Sequence, residues 1–255
     1  MKLCTKSTSA QKEINNISLP IDNKGVLADV EVLRDDGSSI EGASFGEIQF
    51  LYSAGFIMAG KYGNNIFANA VASASRIEDY YSGGWQYGRN DARAQLYVLK
   101  SSDGDFHKSW NDWKDAVALG AKFYDGNSDG IYNPVDFNKN GIWDKNEDRP
   151  DLIGDETVWC VLHDGLPSEL RRFSNVPPLG IEIRQTVFGF DSQSELGNCF
   201  FVRYEIVNTG MLHEKLDSVY FSFWADVDLV HNFTNTVTYK IMAKCISSVN
   251  KLTKV

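Results

Sequence analysis

Residues 136–147 read D-F-N-K-N-G-I-W-D-K-N-E. Oxygen-bearing side chains stand at the first, third, fifth, ninth and twelfth places, and glycine stands at the sixth. This is the pattern D-x-[DN]-x-[DN]-G-x5-E, in which a tightly curled loop turns alternate oxygens inward. Calcium, a hard cation, takes six to eight oxygen ligands at about 2.3–2.6 Å. Asp136, Asn138 and Asn140 would supply the first three side chains, and Gly141 would permit the sharp turn. Ile142 would offer its backbone carbonyl, Asp144 would act directly or through water, and Glu147 would close the shell with two oxygens.

The same register occurs 11 residues earlier. Residues 125–136 read D-G-N-S-D-G-I-Y-N-P-V-D. Asp125, Asn127 and Asp129 lead, Gly130 turns, Ile131 offers a carbonyl and Asn133 takes the ninth place. Asp136 fills the twelfth, so it would serve both loops as a bridging carboxylate. The surrounding charge agrees. Between Asp125 and Glu156 there are nine acidic residues against three basic ones, a net −6 out of −9 for the chain. Packing so many like charges together is costly without a cation. The expected cofactor is Ca2+. The bland alternative is a solvated Asp/Asn/Gly-rich turn region.

The flanks argue against a cytosolic sensor, which needs a helix on each side of the loop. Pro134 lies inside the first loop, and Pro150 follows the second. Helix-free tandem loops of this kind resemble thrombospondin type 3 repeats and, more loosely, dockerin loops. That resemblance implies calcium that builds structure. Extracellular modules bind it with dissociation constants of about 10⁻⁴–10⁻³ M, which favours an extracellular or cell-surface home. The N-terminus, MKLCTKSTSAQKE, lacks the apolar stretch of a signal peptide. A piece of a longer secreted chain is therefore expected. No apolar run is long enough to span a bilayer. The net charge of −9 and the lack of any basic run beyond Arg171-Arg172 argue against a nucleic-acid partner.

Catalytic motifs are missing. The four histidines are isolated, and there is no HExxH, GxSxG or P-loop. The enzyme reading that stays open is a glycoside hydrolase-like carboxylate pair, defined only in space. Glu182, Glu205 and Asp226, on expected strands, are its candidates. Asp226 and Asp228 end a strand and are either a third cation site or an ordinary strand end. Exposed aromatics such as Trp85, Tyr87 and Trp224 would make a sugar-stacking platform or else pack in the core. A glycan or another surface protein is thus the expected partner. Cys160 and Cys199 lie in strand-like runs, where they either pair or stay buried as free thiols.

The elements that must carry these residues are mostly strands. Aromatics reach 13% of the chain, which suits half-buried pleated surfaces. Strands are expected in Leu19–Val32, in FGEIQFLY and GFIMAG within 45–60, in FANAVASAS within 64–81, and in AQLYVLK (94–100). Further strands are expected in ETVWCVLHD (156–164) and LDSVYFSFWADVD (216–228). The runs 181–190 and 199–208 read as a hairpin. Residues 109–121, with Ser109 as cap and Trp110, Trp113, Val117 and Ala121 on one face, read as the one clear helix.

The phrases GDETVWCVLHD, PLGIEIRQTVFGFD, LGNCFFVRYEIVNTG, GFIMAGKYGNNIFANAVASAS and FYDGNSDGIYNPVD resemble the N-terminal regions of large secreted or cell-surface bacterial proteins that end in a type IX secretion sorting domain. The resemblance covers roughly residues 15–230. It implies secretion and a β-rich module, and it supplies no biochemical activity. The expected architecture is mainly β, an antiparallel β-sandwich-like module with a short helix and an inserted calcium-loop segment. Residues 1–18 would be a flexible lead-in and 19–236 the module, with the insert at 122–156 and an atypical tail at 237–255. The expected function is a calcium-binding, structural, adhesive or glycan-binding module. The alternative is a fragment of an exported hydrolase.

Overall fold

The computed structural model describes residues 6–7, 9–12, 14–33, 39–40, 42–71, 79–88 and 90–228. In chain order the strands begin with β1 (Lys6–Ser7), β2 (Ser9–Lys12), β3 (Ile17–Asp22), β4 (Val32–Leu33), β5 (Ser39–Ile40) and β6 (Ala43–Phe45). Next come β7 (Ile48–Tyr62), β8 (Asn65–Ala70), β9 (Tyr81–Ser82) and β10 (Leu96–Lys100), then the helix α1 (Lys108–Ala118). The chain continues through β11 (Phe123–Tyr124), β12 (Arg149–Pro150), β13 (Glu156–His163), β14 (Ile181–Gly189), β15 (Phe201–Asn208) and β16 (Asp217–Val227).

Two six-stranded sheets face each other in a β-sandwich-like arrangement. One runs β1-β10-β13-β14-β15, with β9 also on β13. The other runs β16-β7-β6-β3-β2, with β8 also on β7. Every ladder among the described residues is antiparallel. Alternate residues supply the inner faces: Leu19 and Ile21 of β3, Phe56 and Met58 of β7, Cys160 and Leu162 of β13, and Ile181, Ile183 and Val187 of β14. Phe56 is central to them. Its ring stacks on Phe221 at 5.3 Å and meets Tyr80 and Tyr204 edge-on at 5.1 and 5.4 Å.

All eight residues of β13 are buried. A second apolar layer explains this, because α1 lies over the outer face of the same sheet. Trp110, Trp113, Ala116 and Leu119 of the helix region pack with Tyr97, Leu99, Trp159 and Val161. A strand covered on both faces reads as a continuous apolar run, as ETVWCVLH does. The helix is capped by the His107 imidazole, which accepts from Ser109 N at 3.3 Å. Ser109, the expected cap, is inside the helix and buried. Gly120, at φ +102°, supplies the left-handed residue that ends it.

The hairpin of β14 and β15 forms as expected, with Arg184 opposite Glu205 and Thr186 opposite Arg203. Two sequence expectations change. Residues 45–60 give no pair of short strands but one 15-residue strand, β7, preceded by the short β6. The lead-in 1–18 holds β1, paired with β10, and β2, paired with β3. Cys160 and Cys199 are both free, the first buried between the sheets and the second exposed. On β16 Phe221 and Val227 pack against the core, while Val219 and Phe223 stay exposed. Among the described residues that strand is a sheet edge paired on one side only. The tail at 237–255 lies outside the described residues.

Asp22, at the end of β3, folds the following turn. Its Oδ1 accepts from Lys24 N at 2.9 Å and Val26 N at 3.1 Å. Burial outweighs these bonds and pushes its carboxyl up to about 6. The folded-state value exceeds the unfolded one, so this residue stabilises the fold at low pH and loses that contribution as pH rises from 3.8 to 6. Asp22→Asn keeps an acceptor oxygen without the charge. At pH 7.5 it should be more stable than the parent by on the order of 2 kcal/mol. The gain should vanish near pH 4, as thermal melts across that range would read.

Candidate metal centre

The insert leaves the sheet layer through β11 and returns through β12, with Phe123 paired to Pro150 and Tyr124 to Arg149. Between those ends the two acidic loops adopt one conformation twice. The fourth residue of each, Ser128 and Lys139, has φ of 62° and 61°, and the sixth, Gly130 and Gly141, has 76° and 75°. Left-handed backbone at a non-glycine residue is uncommon, so its repetition at the same place 11 residues apart marks a built loop.

The hydrogen bonds repeat as well. In the first loop Asp125 accepts from Asp129 N at 3.2 Å and from Gly130 N at 2.8 Å. In the second Asp136 accepts from Asn140 N at 3.2 Å and from Gly141 N at 2.7 Å. Asn127 Oδ1 accepts from Asp129 N, and Asn138 Oδ1 from Asn140 N, both at 3.0 Å. Asp129 Oδ1 accepts from Ile131 N, and Asn140 Oδ1 from Ile142 N, both at 2.7 Å. Each loop is therefore curled by its own side-chain oxygens before any ligand is considered.

The closing carboxylates are where structure and expectation differ. In the second loop Glu147 accepts from the second and ninth residues, Phe137 N at 2.7 Å and Asp144 N at 2.9 Å. Both donors belong to the loop that Glu147 was expected to close. In the first loop the corresponding donors are Gly126 N, at 3.0 Å, and Asn133 N, at 2.7 Å, and both bind Asp148. Asp136, expected to serve both loops, accepts from backbone N–H groups of the second, Asn140 and Gly141. Glu147 and Asp148 stand side by side just before β12, at the end of a turn, and each reaches one loop. No sequence register points to Asp148, since the 11-residue offset leads to Asp136. Only its membership of the acidic window hinted at a role.

The remaining side chains gather unevenly. Asn127 Nδ2 donates to Asp129 Oδ2 at 2.9 Å, and Asn138 Nδ2 donates to Asp144 Oδ2 at 2.7 Å. Asn133 instead turns its side-chain oxygen to Lys114 Nζ at 3.1 Å. No group of three or more His, Cys, Asp or Glu side chains positioned to hold a metal occurs among the described residues. Each loop mixes its carboxylates with asparagine amides and backbone groups, a neutral-rich oxygen set of the sort calcium accepts.

Two features bear on the fit of a cation. Glu147 and Asp148 are adjacent in sequence and only 1% and 2% exposed. Neither has an ion pair among the described residues, and both are held by backbone N–H groups alone. A buried carboxylate without a countercharge is costly. Each oxygen bonded to one N–H keeps a further lone pair. The insert is also fastened to the helix layer: Tyr132 OH donates to Trp110 O at 2.9 Å, and Tyr132 joins the apolar cluster under α1. Arg149 lies over the Trp143 ring at 4.5 Å, and Trp143 Nε1 donates to Glu147 O at 2.8 Å.

Of the candidate hydrolytic carboxylates, Glu182 and Glu205 come together on either side of Arg184, and Asp226 stands apart from them. Glu182 and Glu205 lie on the sheet that carries α1, and Asp226 lies on β16 of the other sheet. No protein-family model, curated protein or solved structure matches this chain. Among the described residues no helix is long and apolar enough to cross a membrane.

Proposed function

We propose that this chain is a calcium-stabilised, β-sandwich-like module of a secreted or cell-surface protein, with a structural, adhesive or glycan-binding role and no catalysis of its own. The supporting observation is the doubled loop, closed by two adjacent buried carboxylates that lack a countercharge. Asp125, Asn127, Asp129 and Asp148 would hold one ion. Asp136, Asn138, Asn140, Asp144 and Glu147 would hold the other. The carbonyls of Ile131 and Ile142 are the expected backbone ligands. The ions would neutralise the insert and fix it beneath α1. The resemblance to N-terminal regions of type IX-secreted proteins supports the same extracellular setting, where free calcium is high enough for weak sites.

The test is thermal unfolding of the whole chain in millimolar calcium, in millimolar magnesium and in excess EDTA, beside Asp136→Ala. An ion that binds only the folded state adds about 2.7 kcal/mol per site at a hundredfold excess over Kd. Calcium should raise the melting temperature well above the EDTA value, magnesium should raise it less, and the variant should lose most of the rise. Superimposable melts in all conditions would remove the calcium reading.

A further inference from the structure

A second constellation lies on the outer face of the α1-bearing sheet, away from the loops. Glu182 and Arg184 share that face of β14, being two residues apart, and Glu205 of β15 is the Cα partner of Arg184. Arg184 Nε and Nη2 donate to Glu182 Oε1 at 3.2 and 3.1 Å, and its Nη1 stands 3.6 Å from Glu205 Oε1. Lys122 Nζ lies 3.4 Å from Glu205 Oε2. Above this row sits the turn GGWQYG, residues 83–88. Trp85 N donates to Glu182 Oε2 at 3.1 Å, and Tyr87 OH reaches Ala118 O at 3.4 Å. A Cβ on Gly84 would touch the Tyr87 ring, Glu182 and Leu119 together, so these groups are contiguous. Arg93 covers one side of the Tyr87 ring at 4.4 Å, yet Tyr87 remains 42% exposed.

We propose that Trp85, Tyr87, Glu182, Arg184, Glu205 and Lys122 form a binding site for an uncharged glycan. Three observations carry it. The two cations are matched by two carboxylates, so the patch presents donors and acceptors with no net charge to attract an ionic ligand. Those groups flank aromatic rings, and a pyranose pairs an apolar C–H face with a rim of hydroxyls. His163, buried beside Trp85 at 5.3 Å between ring centroids, supplies the third. Its Nδ1 accepts from Gly165 N at 3.1 Å, which leaves the ring proton on Nε2, and Nε2 has no hydrogen-bond partner among the described residues. A buried donor without a protein acceptor leaves a hydrogen bond to be filled beside Trp85 by a water or a ligand hydroxyl. Glu182 is held in place by Arg184 and Trp85 N, and its remaining acceptor capacity is open to a ligand hydroxyl.

The experiment is affinity electrophoresis of the calcium-loaded chain through gels containing soluble neutral polysaccharides: a β-1,4-glucan, an α-1,4-glucan, a mannan and a galactan. A gel of polyanionic alginate runs alongside. Tyr87→Ala, Glu205→Gln and, as a control for exposed aromatics elsewhere, Tyr220→Ala are run in parallel, with circular dichroism to confirm folding. The site predicts retardation in at least one neutral gel, weakened at least tenfold in apparent affinity by Tyr87→Ala and by Glu205→Gln, and unchanged by Tyr220→Ala. Retardation in no neutral gel, retardation only by alginate, or retardation equal in Tyr87→Ala and the parent each overturns it. The site uses no residue of the acidic loops, so its failure would leave the calcium reading untouched.

Discussion

Asp164→Ala should be strongly destabilising, by more than about 4 kcal/mol. Asp164 is buried, and its carboxylate gathers the segment that leads into β14. Oδ2 accepts from Leu179 N at 2.7 Å, and Oδ1 accepts from Gly180 N at 3.1 Å and Ile181 N at 2.8 Å. Its own N–H bonds to Ile181 O at 3.0 Å, and its carbonyl accepts from the buried Arg171 guanidinium. Burial pushes this carboxyl above its usual range despite those bonds and Arg171. The charge itself therefore adds little. What truncation removes is the acceptor. Three buried N–H groups lose their partner at about 1–3 kcal/mol each, and Arg171 loses its nearest countercharge. A total above about 4 kcal/mol stands against a usual stability of about 5–15 kcal/mol. Asp164→Asn keeps one acceptor oxygen and should cost less than half as much. Urea unfolding curves of the two variants should show this order in their midpoints. A near-parental midpoint for the alanine variant would mean that the 164–181 segment does not depend on the carboxylate.

Gly126→Ala should disable the first loop while sparing the sandwich. Gly126 does not need a left-handed backbone. What it needs is space, because a Cβ there would press into the backbone of Asn146 and Glu147. Backbone cannot yield as a side-chain tip can. The methyl would push the loop off the segment that presents Asp148 and stretch the Gly126 N to Asp148 bond. Overpacking of this kind costs about 1–3 kcal/mol. The larger effect is on calcium. The melting-temperature rise should shrink towards the contribution of one loop. Gly130→Ala makes a useful contrast. No atom crowds that Cβ position, but φ is +76°, so its cost should be confined to backbone strain, about 1 kcal/mol. If Gly126→Ala bound two calcium ions per chain by equilibrium dialysis, the pairing of Asp148 with the first loop would be wrong.

These outcomes bear on how much could be read before the fold was known. Alternation located β14, β15 and β16, because a side chain that packs on a pleated face returns every second residue, and β13 showed as a continuous apolar run. The helix was legible from its apolar face, though its cap was not, since a histidine served where a serine stood two places on. The two strands expected within 45–60 left out Ser53 and Ala54, which continue β7 without a break. In the fold Gly55 is a place of close approach, where a Cβ would meet Val71 at 3.0 Å. A glycine needed for space and a glycine needed for a turn look alike in sequence. The edge strands β1 and β2 escaped notice because their residues are mostly polar. The loop motif itself was plain in spacing. Asp148 was not, since its partners lie 15 and 22 residues away. The glycan row was hidden for the same reason, as Glu182, Arg184 and Glu205 meet only across a ladder.

The two-residue ladder of β11 and β12 has one further consequence. It brings the entrance and exit of the insert together, at the spacing of paired strands, about 5 Å. The sandwich strands pair with one another without calling on residues 125–148. Such a segment behaves as a cassette. A hairpin turn between Tyr124 and Arg149 could replace it, and the cassette could be spliced between neighbouring strands of an unrelated scaffold, carrying its two curled loops along. A lineage could gain or shed the cassette at one splice point without redrawing the sheets.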